Sequence, residues 1–221
     1  RSQGSPMAMY RGGVKLRATG VNCYSLFVKC VERADFEYYD MDESVRERAR
    51  EQVPFVRFSC GPYYASNMWA YFEHKDKYLA ALDHLATICD EAHIGLIPSF
   101  FWHVACIPET YGEDQFAWGD RNSRTYSHMI AYTTEIVNLL KNHKSIVAWE
   151  FGNEFNLQAD LIPDDLRFYA EDVKIAHEGF ARTVAALDEH KRLIGSGSSI
   201  MRDNQYQLMK GLLRLNDTRS E

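Results

Sequence analysis

Two rhythms of apolar residues run along this chain. Short continuous apolar runs, of the kind that form strands buried on both faces, alternate with longer stretches in which apolar residues recur every three to four positions, the spacing of a helix packed by one side. The strand-like runs are 18–25, 54–59, 94–101, the segment 145–155 with its core Ile146-Val147-Ala148-Trp149, and 192–196. A charged helix is predicted around 43–51. An aromatic loop with Tyr63, Tyr64, Trp69, Tyr71 and Phe72 follows the second strand and leads into a helix over 75–92, where Leu79, Leu82, Leu85, Ile88 and Cys89 share one face. Pro98 suits the end of the third strand but not the middle of a ladder.

Beyond that strand a long polar loop, 103–122, ends at Ser123, which is placed to cap a helix with Ile130, Ile136, Val137 and Leu140 inward. Pro163 fits the first turn of a helix reaching about Asp188, with Leu166, Val173, Phe180, Val184 and Leu187 buried. A last amphipathic helix is expected over 205–215. Strand then helix, repeating roughly every 35 to 50 residues, is the βα alternation of a parallel sheet, so the chain reads as α/β with about five βα units.

The fourth strand ends in Asn153-Glu154. The carboxyl ends of parallel strands are where such sheets place their chemistry, because the loops there vary while the strands hold position. An acid that gives a proton to a leaving oxygen and later takes one from water works best with a raised pKa, which burial against aromatic rings supplies. Trp149, Phe151 and Phe155 are the expected source of that setting. A glutamate that only caps the following loop or helix is the plainer alternative.

The string Trp149, Glu150, Asn153, Glu154 resembles the fourth-strand motif of clan A glycoside hydrolases, especially family 5, the cellulases and mannanases. Shorter matches occur in the same order: Gly20-Val21-Asn22 at the first strand's end, Val56-Arg57-Phe58 on the second, and Phe101-Trp102-His103 on the third. The likeness covers roughly residues 15 to 200, with the Asn-Glu strand its one specific element. It implies a (β/α)8, TIM-type barrel that cleaves β-glycosidic bonds with retention. In that picture Glu154 is the acid/base, Asn153 hydrogen-bonds the sugar's 2-hydroxyl, and Arg57 and His103 orient the site. Trp102, Trp118 and Tyr63 are candidate platforms for the apolar face of a sugar, and Asn22 a further substrate contact. For Trp69 core packing is the expectation.

A full barrel of this type takes about 250 residues, and this chain has 221. The resemblance puts the nucleophilic glutamate on a seventh strand, for which no sequence remains, so the expectation is an incomplete, truncated barrel lacking that nucleophile. Retaining hydrolysis needs two carboxyl groups about 5 to 5.5 Å apart. Glu150 shares strand parity with Glu154 but lies deeper and is better placed to pair with Arg57; Glu109, Glu113 and Asp114 belong to the third loop. An open barrel exposes two strand edges and an apolar inner face, which predicts a homo-oligomer. The leading expectation is therefore a glycosidase acting on a β-linked glucan or mannan. The alternative is a catalytically inactive partial barrel that self-associates or binds carbohydrate weakly.

Composition narrows the remaining classes. A net charge of -6, with basic residues interspersed among acids, argues against a nucleic-acid groove or an anionic membrane surface, and no apolar run reaches the length of a membrane span. Five cysteines without paired C-x-x-C spacing indicate neither a disulfide framework nor a zinc ribbon, and the eight scattered histidines indicate no metal; no cofactor is expected. Gly195-Ser196-Gly197-Ser198 lacks the ending of a P-loop and is not the G-x-S-x-G of a serine hydrolase. Residues 1–9 read as a vector-derived leader, with 10–221 one partial-barrel domain. That start leaves the cellular compartment open.

Overall fold

A computed structural model of the chain describes residues 10–11, 13–15, 17–161 and 167–200. Residues 1–9, read as a leader, and the helix expected over 205–215 lie outside the described residues. Two two-residue strands, β1 (Tyr10–Arg11) and β2 (Val14–Lys15), pair antiparallel ahead of the main sheet. Among the described residues that sheet has five parallel strands: β3 (Val21–Asn22), β4 (Phe55–Ser59), β5 (Gly95–Phe101), β6 (Ala148–Gly152) and β7 (Leu193–Gly195). They pair strictly in chain order, β3-β4-β5-β6-β7. Sequential order without a reversal is the arc of a (β/α) barrel, in contrast to the reversed order of a doubly wound sheet. The fold is α/β, as the strand–helix alternation predicts.

The helices that return the chain are α1 (Ser25–Val31), α2 (Tyr39–Arg50), α3 (Trp69–Glu73), α4 (Lys75–Ala92), α5 (Cys106–Tyr111), α6 (Arg124–Leu140), α7 (Phe155–Gln158) and α8 (Ala170–Leu187). Helix α4 has the predicted limits and ends at His93, which adopts the left-handed conformation (φ 59°) that closes a helix terminus. Ser123 caps α6 as expected, its hydroxyl oxygen accepting from the Tyr126 amide at 2.9 Å.

Several elements differ from the apolar pattern. Only Val21–Asn22 of the first run enters the ladder, because the chain turns at once into α1, whose Leu26, Phe27, Val28, Cys30 and Val31 are buried. Helix α8 begins at Ala170, later than Pro163 suggests; the Asp172 carboxylate accepts from the Tyr169 amide and Asp160 from that of Ala170, so side-chain capping sets the start. The third loop is not structureless, since it holds α5 and a short 3-10 turn at Gln115–Trp118.

The core lies between the helices and one face of the sheet. Val56, Phe58, Leu96, Phe100, Trp149 and Phe151 point to the helices and pack with Leu82, Leu85, Met129, Ile136, Val137 and Phe180. Parity then turns Asn22, Arg57, Ser99 and Glu150 to the opposite face, and the register Asn22↔Arg57 and Ser99↔Glu150 sets them side by side across neighbouring strands. The end of α8 is tied back to the sheet. Trp149 Nε1 donates to Asp188 at 2.9 Å, and Arg192 pairs with Asp188 at 2.7 Å while donating to the Lys141, His143 and Ile146 carbonyls. Burial alone would raise the Asp188 carboxyl, but these hydrogen bonds and the Arg192 charge hold it below the ordinary range. This anchor presents β7 to β6 although the strand itself is exposed, Leu193 by 57%.

Candidate active site

Arg57 is the hub of the face turned away from the helices. Its guanidinium meets Glu150 at 2.6 Å, Asn153 Oδ1 at 3.1 Å, the Gly152 carbonyl at 3.3 Å and Asn22 Oδ1 at 3.3 Å. It also lies over the Trp102 ring, 4.3 Å from the centroid. The pairing of Arg57 with Glu150 is the one the sequence suggests. With side-chain exposures of 19% and 15%, the pair is shielded enough to be more than a surface contact.

The chain leaves β6 through a constrained turn. The Asn153 amide donates to the Phe101 carbonyl at 3.3 Å, and Glu154 takes a left-handed backbone conformation (φ 56°, ψ 30°) before α7 begins. The Glu154 amide donates to the Gly197 carbonyl at 2.9 Å, so the loop after β7 fixes the position of this residue. Gly197 is required there: its φ is +69°, and a Cβ would fall 1.7 Å from the Gly152 carbonyl oxygen. Of the Gly195-Ser196-Gly197-Ser198 run, which superficially suggests a phosphate loop, Gly197 serves this close approach.

Glu154 is exposed at the rim, and its carboxylate has no hydrogen bond or ion pair among the described residues. The aromatic setting expected for it does not form. Trp149, Phe151 and Phe155 are almost wholly buried, because strand parity turns Trp149 and Phe151 toward the helices and Phe155 packs with Phe151 and Trp118 in the core.

Trp118 requires a second correction. It is fully buried, its indole nitrogen donates to the Val104 carbonyl at 2.8 Å, and its ring packs on Phe101, Phe151 and Phe155. A ring enclosed in this way is core, not a sugar platform. Trp69 also packs against the core, as expected. Glu113, one of the third-loop acids, accepts from the amides of Arg124 and Thr125 at 2.9 and 2.8 Å. It therefore satisfies the start of α6.

The structure does gather Asn22, Trp102, Tyr63 and His103 on the Arg57 side of the rim. The His103 ring stacks on Tyr63 with centroids 4.8 Å apart and planes 4° from parallel, and its Nδ1 is buried without a hydrogen-bond partner among the described residues. Tyr24 and Tyr64 join this group, Tyr24 contacting Trp102 and Tyr63 at 5.6 and 5.9 Å, Tyr64 contacting Tyr63 at 4.7 Å. The apolar pattern singled out neither as special: Tyr24 reads as the tail of the first strand, and Tyr64 as one of several loop aromatics.

Among the described residues, no group of three or more His, Cys, Asp or Glu side chains is arranged to hold a metal ion. The five cysteines are free thiols, and burial pushes Cys89 and Cys106 up to about 12, which makes them poor nucleophiles. No helix among the described residues is long and apolar enough to cross a membrane.

No protein-family model matches the chain, and no curated protein matches it in sequence. Solved structures do match in fold. The exo-β-1,4-mannosidase Op5Man5 from Opitutaceae bacterium strain TAV5 superimposes with a TM-score of 0.64 at 16% identity, covering 86% of this chain and 33% of its own. The endo-β-1,4-mannanase from Thermotoga petrophila gives 0.55 at 14% identity, covering 83% and 43%. A β-glucosidase from Exiguobacterium marinum gives 0.55 at 14% identity, covering 87% and 52%. At such identities the likeness establishes the fold: the five parallel strands and the described helices between them form an arc of the TIM-type barrel found in these glycosidases. The chain spans from a third to about half the length of those proteins.

Proposed function

We propose that this chain carries the acid/base side of a retaining glycosidase centre of the family 5 type, acting on a β-linked mannan or glucan. One observation carries the reading. Arg57 grips both Glu150 and Asn153, so that Asn153 and the neighbouring Glu154 stand together at the carboxyl end of a central parallel strand. Glu154 would protonate the glycosidic oxygen and then take a proton from water, Asn153 would bind the 2-hydroxyl, and Arg57 and His103 would orient the group. The structural neighbours, two mannan-acting enzymes and a β-glucosidase, support a β-linked hexoside as substrate.

Retention needs a second carboxylate about 5 to 5.5 Å from Glu154. Glu150 is committed to Arg57 and Glu113 to the start of α6, so neither is free to serve as that nucleophile. A second copy of the chain covering the exposed edge at β7 is one source, in keeping with a homo-oligomer; a light-scattering mass equal to one chain would remove it.

The second reading is a partial barrel that binds carbohydrate without cleaving it. The exposure of Glu154, without its expected aromatic shelter, favours it. Hydrolysis of aryl β-mannosides and β-glucosides and of the corresponding oligosaccharides, compared with Glu154→Gln, separates the two. Turnover abolished by the substitution supports the glycosidase, and no turnover by either protein supports the binding role.

A further inference from the structure

Of the three aromatic side chains that the sequence points to as sugar platforms, Trp118 is core, and the other two have their rings largely engaged by the protein. The Trp102 indole carries the Arg57 guanidinium 4.3 Å from its centroid and the Tyr24 ring at 5.6 Å. Tyr63 is stacked by His103 at 4.8 Å and flanked by Tyr24 and Tyr64. Tyr24 and Tyr64 remain open, with 41% and 56% of their surfaces in solvent. They stand on the connections after β3 and β4, next to Trp102 and His103 after β5, so three successive strand ends build one layered aromatic wall. Trp102 joins that wall to Arg57, which in turn holds Asn153.

The geometry points to Tyr24, with Tyr64 beside it across Tyr63, as the stacking platform of a sugar subsite, with Trp102 and Tyr63 as the buttress that holds it. The occupant is a β-linked hexopyranose ring, a class that rests on the glycosidase reading above. Such a ring presents an apolar C–H face to an exposed aromatic surface while its hydroxyls stay in water. A ring backed by other rings loses little freedom when a ligand lands on it, which favours binding. The wall spans the ends of β3, β4 and β5 while Glu154 stands at the end of β6, so it holds a sugar beyond the one Glu154 would protonate.

The test is titration of β-1,4-mannotetraose and cellotetraose into the Glu154→Gln protein by calorimetry, with and without Tyr24→Ala, Tyr24→Phe and Tyr64→Ala. Tyr24→Ala is expected to weaken the better ligand about three- to tenfold, and Tyr24→Phe to stay within about twofold, because the face and not the hydroxyl does the binding. Tyr64→Ala, at the most exposed ring of the wall, should fold normally and weaken binding about two- to threefold. The proposal is overturned if Tyr24→Ala, shown folded by its unfolding transition, binds as tightly as its parent, if Tyr24→Phe is as weak as Tyr24→Ala, or if the parent binds neither sugar. Tyr24-dependent binding without hydrolysis by the unsubstituted chain would strike only the glycosidase reading. Hydrolysis that needs Glu154 but is indifferent to Tyr24 would strike only this one.

Discussion

Arg57 on β4 and Glu150 on β6 meet at 2.6 Å although β5 lies between their strands. The reach is possible because the residue of β5 in register with Glu150 is Ser99, small enough for the guanidinium to pass. The same guanidinium takes up Asn153, so the ion pair within the sheet and the amide at the rim form one unit. Loss of either charge should therefore be felt in stability as well as at the rim.

Arg57→Met removes one partner of a shielded ion pair and leaves Glu150 uncompensated, and should cost about 2–4 kcal/mol in urea unfolding. Adding Glu150→Gln should recover part of that loss, with a coupling energy of about 1–3 kcal/mol in the double-mutant cycle. Strict additivity of the two substitutions would show that the pair contributes nothing as a pair.

Glu154 is a non-glycine residue at φ 56°, and its side chain has no partner among the described residues. Glu154→Gly should accordingly raise stability by about 0.5–1 kcal/mol, as the backbone strain is relieved, while Glu154→Gln should change it by less than about 0.5 kcal/mol. A drop in the urea midpoint of Glu154→Gly would mean that the carboxylate stabilises the fold, which would weaken the case for a functional role.

His128 and His177 give the fold a pH dependence near neutrality. Burial lowers both to about 4, with the Lys75 charge adding to the effect at His128. Between about pH 6.5 and 4 the unfolded chain takes up protons that the folded one refuses, so the stability these neutral imidazoles confer is complete above pH 6.5 and declines as the pH falls. Urea unfolding at pH 7 and pH 5 should differ by about 2 kcal/mol for each histidine. His128→Gln should remove roughly half of that difference; an unchanged pH slope would refute the assignment.

How much of this was legible in the sequence follows from the range of each interaction. The five strands, α4 and the capped start of α6 answer to local periodicity and to side chains a few residues away, which any stretch of sequence carries with it. The start of α8 was misplaced because its capping partner Asp160 sits ten residues upstream of Ala170. Glu150 could be paired with Arg57 by strand parity. Trp118 could not be assigned correctly, since a tryptophan in a polar loop and one folded back onto Phe101 and Phe155 look the same in sequence.

The sequence by itself determined the α/β class, the parallel sheet and the placing of Asn153-Glu154 at a strand end, because hydrophobic period and strand parity are properties of neighbouring residues. Only the tertiary structure decided which aromatic faces are left open, which acids are already committed, and how Gly197 holds the backbone of Glu154. Those depend on contacts between segments far apart in the chain, where a side chain's partners are set by packing rather than by its neighbours in sequence.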